Sequence, residues 1–554
     1  MTDHKVKRRL FLFSAALLIL LAFAACRKKP QVTRVGAEIL GQEELEEIKR
    51  DRKEYMEETA LGELYYQGVR LPYSEYNQTL YLTVMEGQRL KPEAFLVEGS
   101  SDMPDFSAAF EEFPEDEELM EAVGEGKEYR LLFYTGEYYK ECRLVFTGMP
   151  VMDITFSDET DGDYTIVHIT MQSGALDGGR VEESDARMRI RGGVSRNYPK
   201  LGFKLKLFEQ DGEKNRIKRE VSLLGMRRSD TWNLSALYAD DTKIRDKAAI
   251  DLWAQMSSET IPFSEAFGTR MEYVEVVMNG QYMGIYGLLE PIDEQQLGIT
   301  EGGEDGMYEY YYKKEGEAVV PEEAFLFDSV DEKVPLKEED APDMQIAGLE
   351  LKNGNGHSAR VAWEPVRRYM AMVREQDFSS ESLKLLDLNN VADVWIYIQA
   401  IAGVDNRVKN LYYCAKVVDG DYRLYFIPWD MDMTWGNETD ETSPTLQSYY
   451  TYPADHIMNW SPATQMIAED AGGIRSVIRE RWKELRKDVL SDKAVTSAME
   501  EQDRYIRSSG AFDRDRERWE DSPHAESTAQ ITDYAVQRLH ALDSYILDQD
   551  FPDL

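Results

Sequence analysis

Two aspartates, Asp430 and Asp432, flank Met431 directly after Phe-Ile-Pro-Trp, a run that reads as the end of a buried strand. A carboxylate taken out of water without a partner is costly, so two at one strand end need a reason. Upstream lies "DNRVKNLYY", in which Asp405 and Asn410 stand five apart on a loop. Between the two pairs, "LYYCAKVV" and "YRLYFI" read as strands that turn at Asp419-Gly420, a dipeptide suited to two-residue hairpins. A tight turn returns the chain on itself, which predicts Asn410 beside Asp430. Three carboxylates and one amide oxygen, with no histidine or cysteine among them, suit a hard cation: Mg²⁺, Mn²⁺ or Ca²⁺ rather than zinc. Mg²⁺ commonly binds through one or two carboxylates plus substrate phosphates, so the chemistry expected is phosphoryl transfer.

The order Asp, four residues, Asn, hairpin, Asp is also the layout of a protein-kinase catalytic loop and its metal-binding aspartate. Neither the His-Arg-Asp nor the Asp-Phe-Gly string is present. In a chain with 104 acids the same residues would equally serve as turn formers and surface charges. An Asp405/Asp430 acid–base pair acting on a glycoside is a further alternative. The amide of Asn410 and the second acid, Asp432, fit a cation better than a carboxyl kept protonated.

These residues need a large scaffold. The 554 residues, 42% of them hydrophobic, predict a globular chain with more than one domain. The net charge of −40 repels phosphate backbones and argues against nucleic acid as a partner. Residues 61–148 read as a small β-rich accessory region and residues 27–60 as a charged linker or stalk. From residue 149 to 554 the pattern is strands first, including a hairpin at Asn279-Gly280, and helices after. Asn390 is expected to cap a helix ending near Gly403. An acidic insertion at about 300–343 and a helical tail at about 474–554 complete an α+β reading.

The first 26 residues stand apart. Lys5, Lys7, Arg8 and Arg9 precede an apolar run too short for an ordinary membrane span. It ends in Phe23-Ala24-Ala25-Cys26, which is similar to a bacterial lipobox. Processing there would leave Cys26 as a lipidated N-terminus, on a protein exported and anchored to the bacterial cell membrane. A plain signal peptide or an anchor helix would also export the chain. With only Cys142 and Cys414 besides Cys26, disulfides are not the framework of the fold.

Five stretches in order, "RIRGGVSRNYPKLGFKLKL", "LYADDTKIRDKAAIDL", "YVEVVMNGQYMGIYGLLEPID", "DNRVKNLYY" and "FIPWDMDMTWG", together resemble the CotH family of spore-coat-protein-H-like proteins. The resemblance implies an atypical protein-kinase-like fold, ATP with Mg²⁺ or Mn²⁺ as cofactors, and Ser or Thr hydroxyls of envelope or coat proteins as acceptors. It implies Asp405 as the catalytic-loop acid, with Asn410, Asp430 and Asp432 on the metal. Lys200, Arg191, Arg245 and Glu290 would lie toward the nucleotide. The sequence departs from the family at Gly193-Val194 and at Leu201-Gly202, where phosphate contacts would be reshaped. A non-catalytic structural or binding protein of the envelope is the competing expectation.

Overall fold

The computed structural model describes residues 35–552, except 58, 60, 100–105, 213–214, 258–260, 262, 264–267, 300–306, 315–344, 347, 355–356, 408, 441–442, 450–452 and 461–462. The leader with Cys26 and nearly all of the acidic insertion lie outside the described residues. Helix and strand each take 32% of the chain, so the molecule is mixed α+β.

The accessory part is two sheets around one apolar core. A four-stranded sheet and a seven-stranded sheet enclose Leu64, Phe95, Phe110, Phe133, Leu144 and Phe146. Within the stretch expected as a linker or stalk, the residues from Val35 to Glu54 pack on this unit. Val35–Gly36 and Glu38–Ile39 pair with strands of the two sheets, and the helix Gln42–Arg50 buries Leu45 against Ala109 and Leu132. The charge run is the solvated face of that helix, not a spacer.

Seven strands then close a barrel. They are β1 (Val151–Asp161), β2 (Tyr164–Gln172), β3 (Val181–Arg191), β4 (Gly202–Gln210), β5 (Thr231–Ser235), β6 (Met271–Met278) and β7 (Gln281–Leu289). The order is β3-β2-β1-β6-β7-β5-β4, and β4 pairs back onto β3. Only β1 and β6 run parallel within it. Alternate residues fill the interior: Met188, Leu205, Leu207, Trp232, Val276 and Leu288 among them. The β6–β7 turn is Asn279-Gly280, both with positive φ (48° and 75°), as a two-residue hairpin requires.

The second half is not helix alone. A five-stranded antiparallel sheet comprises β8 (Tyr310–Lys314), β9 (Gln345–Ile346), β10 (Leu349–Leu351), β11 (Leu411–Val418) and β12 (Asp421–Pro428). Its order is β9-β10-β8-β11-β12. It shares the largest core of the molecule with the helices α1 (Arg245–Ser257) and α2 (Leu388–Ile401) and with the tail helices, among them α3 (Ala511–Arg518). Helix α2 is capped by Asp387, whose carboxylate accepts from the amides of Asn389 and Asn390. Asn390, expected as the cap, instead bridges to β12: its side chain accepts from Phe426 N at 2.7 Å and donates to Phe426 O at 3.1 Å. The helix stops where Ala402 turns left-handed, just before the loop that carries Asp405.

Candidate functional site

The β11–β12 hairpin does what its turn dipeptide predicts. Leu411 pairs with Pro428, and Asp419 and Gly420 take positive φ. Asn410 therefore abuts Trp429 and Asp430: Trp429 N donates to Asn410 O at 2.9 Å, and Asn410 Nδ2 donates to Asp430 O at 3.4 Å. Asn410 (φ 57°), Asp430 (φ 62°) and Trp435 (φ 46°) are all left-handed. Left-handed backbone at a residue such as Trp435 is strained. Such strain gathers where surrounding structure holds a functional loop in place.

Asn406, which sequence reading passed over, is part of that hold. Its buried amide donates to Trp429 O at 2.9 Å and to Asn410 O at 3.3 Å. It joins the catalytic-loop candidate to the far end of the hairpin. Asp405, next to it, is half-buried and pairs with Lys409 Nζ at 3.2 Å. Beyond Asp432 the chain is pinned by Asn437 Nδ2 on Asp432 O (2.9 Å) and by Trp435 N on Ile401 O (2.7 Å). Trp429 and Trp435 are buried packing around this loop.

A further acid belongs to the locus. Asp246, in the first turn of α1, is buried, and its Oδ1 accepts from Met431 N at 3.1 Å. Burial, then the charge of Asp430, push its carboxyl up to about 7. Asp432 is driven well above the ordinary carboxylate range by burial and by Asp430, Asp246, Asp405 and Asp240. Nothing local in the sequence could have found Asp246, because only the tertiary fold carries α1 to the hairpin end.

The residues expected around the nucleotide are placed differently from one another. Arg191, at the end of β3, is half-buried with its guanidinium 5.5 Å above the Trp429 ring, beside the acid loop. Arg245 is fully buried, and its donors are engaged: Asp240 and Asp241 at 2.5 Å, Thr434 O at 3.2 Å, and Gln530. It braces the loop from behind. Lys247 donates to Met271 O on β6. Lys200 is sealed in the barrel–helix seam, donating to Asp515 Oδ1 and Ile285 O, both at 2.6 Å, with its ammonium over Tyr286. Burial lowers the Lys200 pKa against the pull of Asp515. Glu290 is buried at the end of β7, where it accepts from Arg227 N at 2.7 Å. The structure thus brings Asp405, Asn410, Asp430, Asp432 and Arg191 to one locus, and sets Lys200, Arg245 and Glu290 in buried networks.

Among the described residues, no three His, Cys, Asp or Glu side chains form a preformed metal cage. The donor set nonetheless fits a hard cation. It is all oxygen, its carboxylates repel one another, and Asn437 Oδ1 and Thr434 Oγ1 are buried without a partner.

Fold and site define an α+β protein with an acid-rich loop where a hairpin end, a helix start and the barrel rim meet. The chain belongs to the CotH family: the model described as "CotH kinase protein" matches residues 188–542. That span takes in Arg191, Lys200 and every acid of the site. The chain is also 26% identical over 213 residues to the inner spore coat protein H of Bacillus subtilis (strain 168), covering 37% of this chain. It spans about half the length of that curated relative. No helix of the described residues is long and apolar enough to cross a membrane.

Proposed function

We propose that the chain is a metal-dependent protein kinase of the cell envelope, transferring the γ-phosphoryl group of ATP to Ser or Thr hydroxyls of surface or coat proteins. The observation that carries this reading is the convergence of Asp405, Asn410, Asp430 and Asp432 at the two ends of one hairpin, held by Asn406. Asp405 orients the accepting hydroxyl and takes its proton as the bond forms. Lys409, 3.2 Å from Asp405, places a positive charge beside it. Asn410, Asp430 and Asp432 would hold Mg²⁺ or Mn²⁺, which when bound neutralises charge between carboxylates and donor phosphates. Arg191, over the Trp429 ring and close enough for its charge to act on Asp246, supplies a cation at the same rim. Most of the rate enhancement would come from positioning and charge neutralisation. The Cys26 reading adds an N-terminal lipid as the anchor.

A non-catalytic CotH-like envelope protein is the second reading. The sealing of Lys200 by Asp515 and Ile285 favours it, because that ammonium is already engaged. Phosphate transfer separates the two. The full chain is incubated with γ-labelled ATP and Mg²⁺ or Mn²⁺, with casein-like acceptors and itself as targets. Asp430→Asn and Asp405→Ala should each lower metal-dependent labelling by about 10²-fold or more. If wild type labels nothing and calorimetry shows no Mg²⁺-ATP binding, the kinase reading fails. Partition of the expressed chain into detergent, abolished by Cys26→Ser, checks the anchor.

A further inference from the structure

The tail helix α4 (Ala529–Asp543) buries Ile531, Ala535, Leu539 and Leu542 in the largest core, and beside that apolar face it carries a polar row. Gln530, Tyr534 and Arg538 stand four apart, so they line up along one side of the helix. Each meets a different part of the acid locus. Gln530 Nε2 donates to Trp435 O at 3.0 Å, and Gln530 Oε1 accepts from Arg245 Nη2. The Tyr534 ring lies against Gly436, where φ is 81° and a Cβ would come within 3.2 Å of the ring. Arg538 donates from Nε to Gln399 O at 2.5 Å and from Nη2 to Gln399 Oε1 at 2.7 Å. Its Nη1 donates to Ala454 O at 3.0 Å and to His456 O.

Two features set this row apart from ordinary packing. Trp435 is left-handed (φ 46°) and is gripped on both sides. Its N–H donates to Ile401 O at 2.7 Å, and its C=O accepts from Gln530. Such a conformation persists only where its surroundings over-determine it, and here one bond comes from α2 and the other from α4. Asp432 lies three residues before Trp435, and Asp405 four after Ile401. The second feature is Arg538 itself, which is buried and whose four acceptors are all uncharged oxygens. Burial brings its guanidinium down to about 10. A cation held that way is costly, and an apolar side chain of similar volume commonly packs as well. What the guanidinium adds is positive charge at the C-terminal end of α2, where the last carbonyls lack helical donors. Gln399, in that last turn, is also tied to the following segment, accepting from Met458 N at 3.0 Å and donating to Met458 O at 2.7 Å. Arg538 thus holds the end of α2 and residues 454–458 in one grip.

We propose that Gln530 and Arg538 are positioning residues of the transfer site: Gln530 sets the acid loop from Asp430 to Asn437, and Arg538 sets the end of α2 that leads into Asp405. The word transfer rests on the kinase reading above; the joint hold on the two loops rests on the hydrogen bonds alone. The row makes one rigid unit of two loops that must face each other accurately, since a misplacement of about 1 Å costs on the order of 10²-fold in rate.

Hydrogen–deuterium exchange of the full chain, read by mass spectrometry, tests the hold without requiring catalysis. Gln530→Met keeps the length and helix propensity of the side chain and removes both of its bonds. Arg538→Lys keeps the charge and loses the planar fork. Leu539→Ala, a core change on the same helix, is the structural control. Gln530→Met should speed exchange of the amides from Met431 to Asn437 about tenfold or more, and Arg538→Lys those from Ala402 to Asn406, with the rest of the chain unchanged. Leu539→Ala should lower the melting temperature at least as much as Gln530→Met and leave both sets of amides at wild-type rates. Mn²⁺ titrated alone and followed by its paramagnetic resonance signal should bind Gln530→Met about tenfold more weakly than wild type. In labelled transfer from ATP, Arg538→Lys should lower kcat about tenfold or more with the acceptor KM within twofold. Wild-type exchange of the acid loop in Gln530→Met overturns the proposal. So does faster exchange spread evenly over the chain, or equal loosening of both loops by Leu539→Ala. If the loops loosen as expected while wild type neither binds Mn²⁺ nor transfers phosphate, the hold stands and the kinase reading falls.

Discussion

Asp246 shows how much of the site lies in a single carboxyl. Folded, it keeps its proton up to about pH 7, whereas in an unfolded chain an aspartate releases it near 3.9. Between those values the native state binds more protons than the unfolded state. This group's contribution to stability therefore falls as pH rises from about 4 to about 7, and is flat above. Asp246→Asn keeps an oxygen for Met431 N and removes the charge that Asp430 opposes. In chelator-treated protein the variant should melt about 1–2 °C higher than wild type at pH 8, a gain of order 1–2 kcal/mol, and about equally at pH 5. Millimolar Mg²⁺ should then raise wild type more than the variant, because Asp246 adds to the charge that attracts the cation. A gain of the same size at both pH values would show that repulsion from Asp430 is not the cause.

At the scale of elements, α3 is the clamp that the sequence did not announce. Asp515 accepts from Lys200 Nζ and from Ile285 N, and His524 Nε2 lies 3.0 Å from it. Burial opposes its ionisation, but Lys200, His524 and Lys243 hold it well below the usual carboxylate range. Its stabilising effect is present above the unfolded value near 3.9 and is lost as pH falls through the native one. Asp515→Ala leaves two buried lysines without their counter-charge and should cost about 3–5 kcal/mol in urea unfolding. Lys200→Met combined with Asp515→Leu should cost less than Asp515→Ala, since one buried lysine, Lys243, rather than two then lacks its counter-charge. Were Lys200 chiefly a nucleotide contact, Lys200→Met would keep full stability and lose only ATP. The two hairpins were legible because Asn279-Gly280 and Asp419-Gly420 carry their turn chemistry locally, and so the pairing of Asn410 with Asp430 was legible too. The Lys200–Asp515 pair was not, because its partners lie 315 residues apart. Strand β8 was missed for a different reason: "YYYKK" buries four of its five residues and shows no alternation to read. The two-residue strands Val35–Gly36 and Glu38–Ile39 are too short to show a period, so the sequence there shows only its charge.

The whole molecule joins the accessory sheets to the barrel and to α3 through one buried acid. Glu275 on β6 takes hydrogen bonds from Thr147 of the accessory part, from Tyr282 of β7, and from Arg514 Nε and Nη2 at 2.9 Å. Arg514 immediately precedes Asp515, so adjacent residues of α3 hold the accessory seam and Lys200. Around this point Tyr81 stacks on Tyr282 with centroids 4.9 Å apart, Arg70 pairs with Asp153 at 2.6 Å, and Glu75 N donates to Gly280 O. Ion pairs on an exposed surface contribute little, but the Glu275 centre of this seam is buried and holds four hydrogen bonds, so opening it strands several polar groups at once. The accessory part should therefore melt with the rest, in a single calorimetric transition for the full chain. Removing residues 1–148 takes away Thr147, Tyr81 and Arg70 and uncovers Glu275, Tyr282 and Arg514. The truncated chain should melt several degrees lower and self-associate through the uncovered aromatic face. Glu275→Ala in the full chain should mimic the loss by leaving Arg514 buried without its acid. Two separate transitions, or a truncated chain with an unchanged melting temperature, would mean that the accessory sheets are a tethered module whose contacts with the barrel add nothing to its stability.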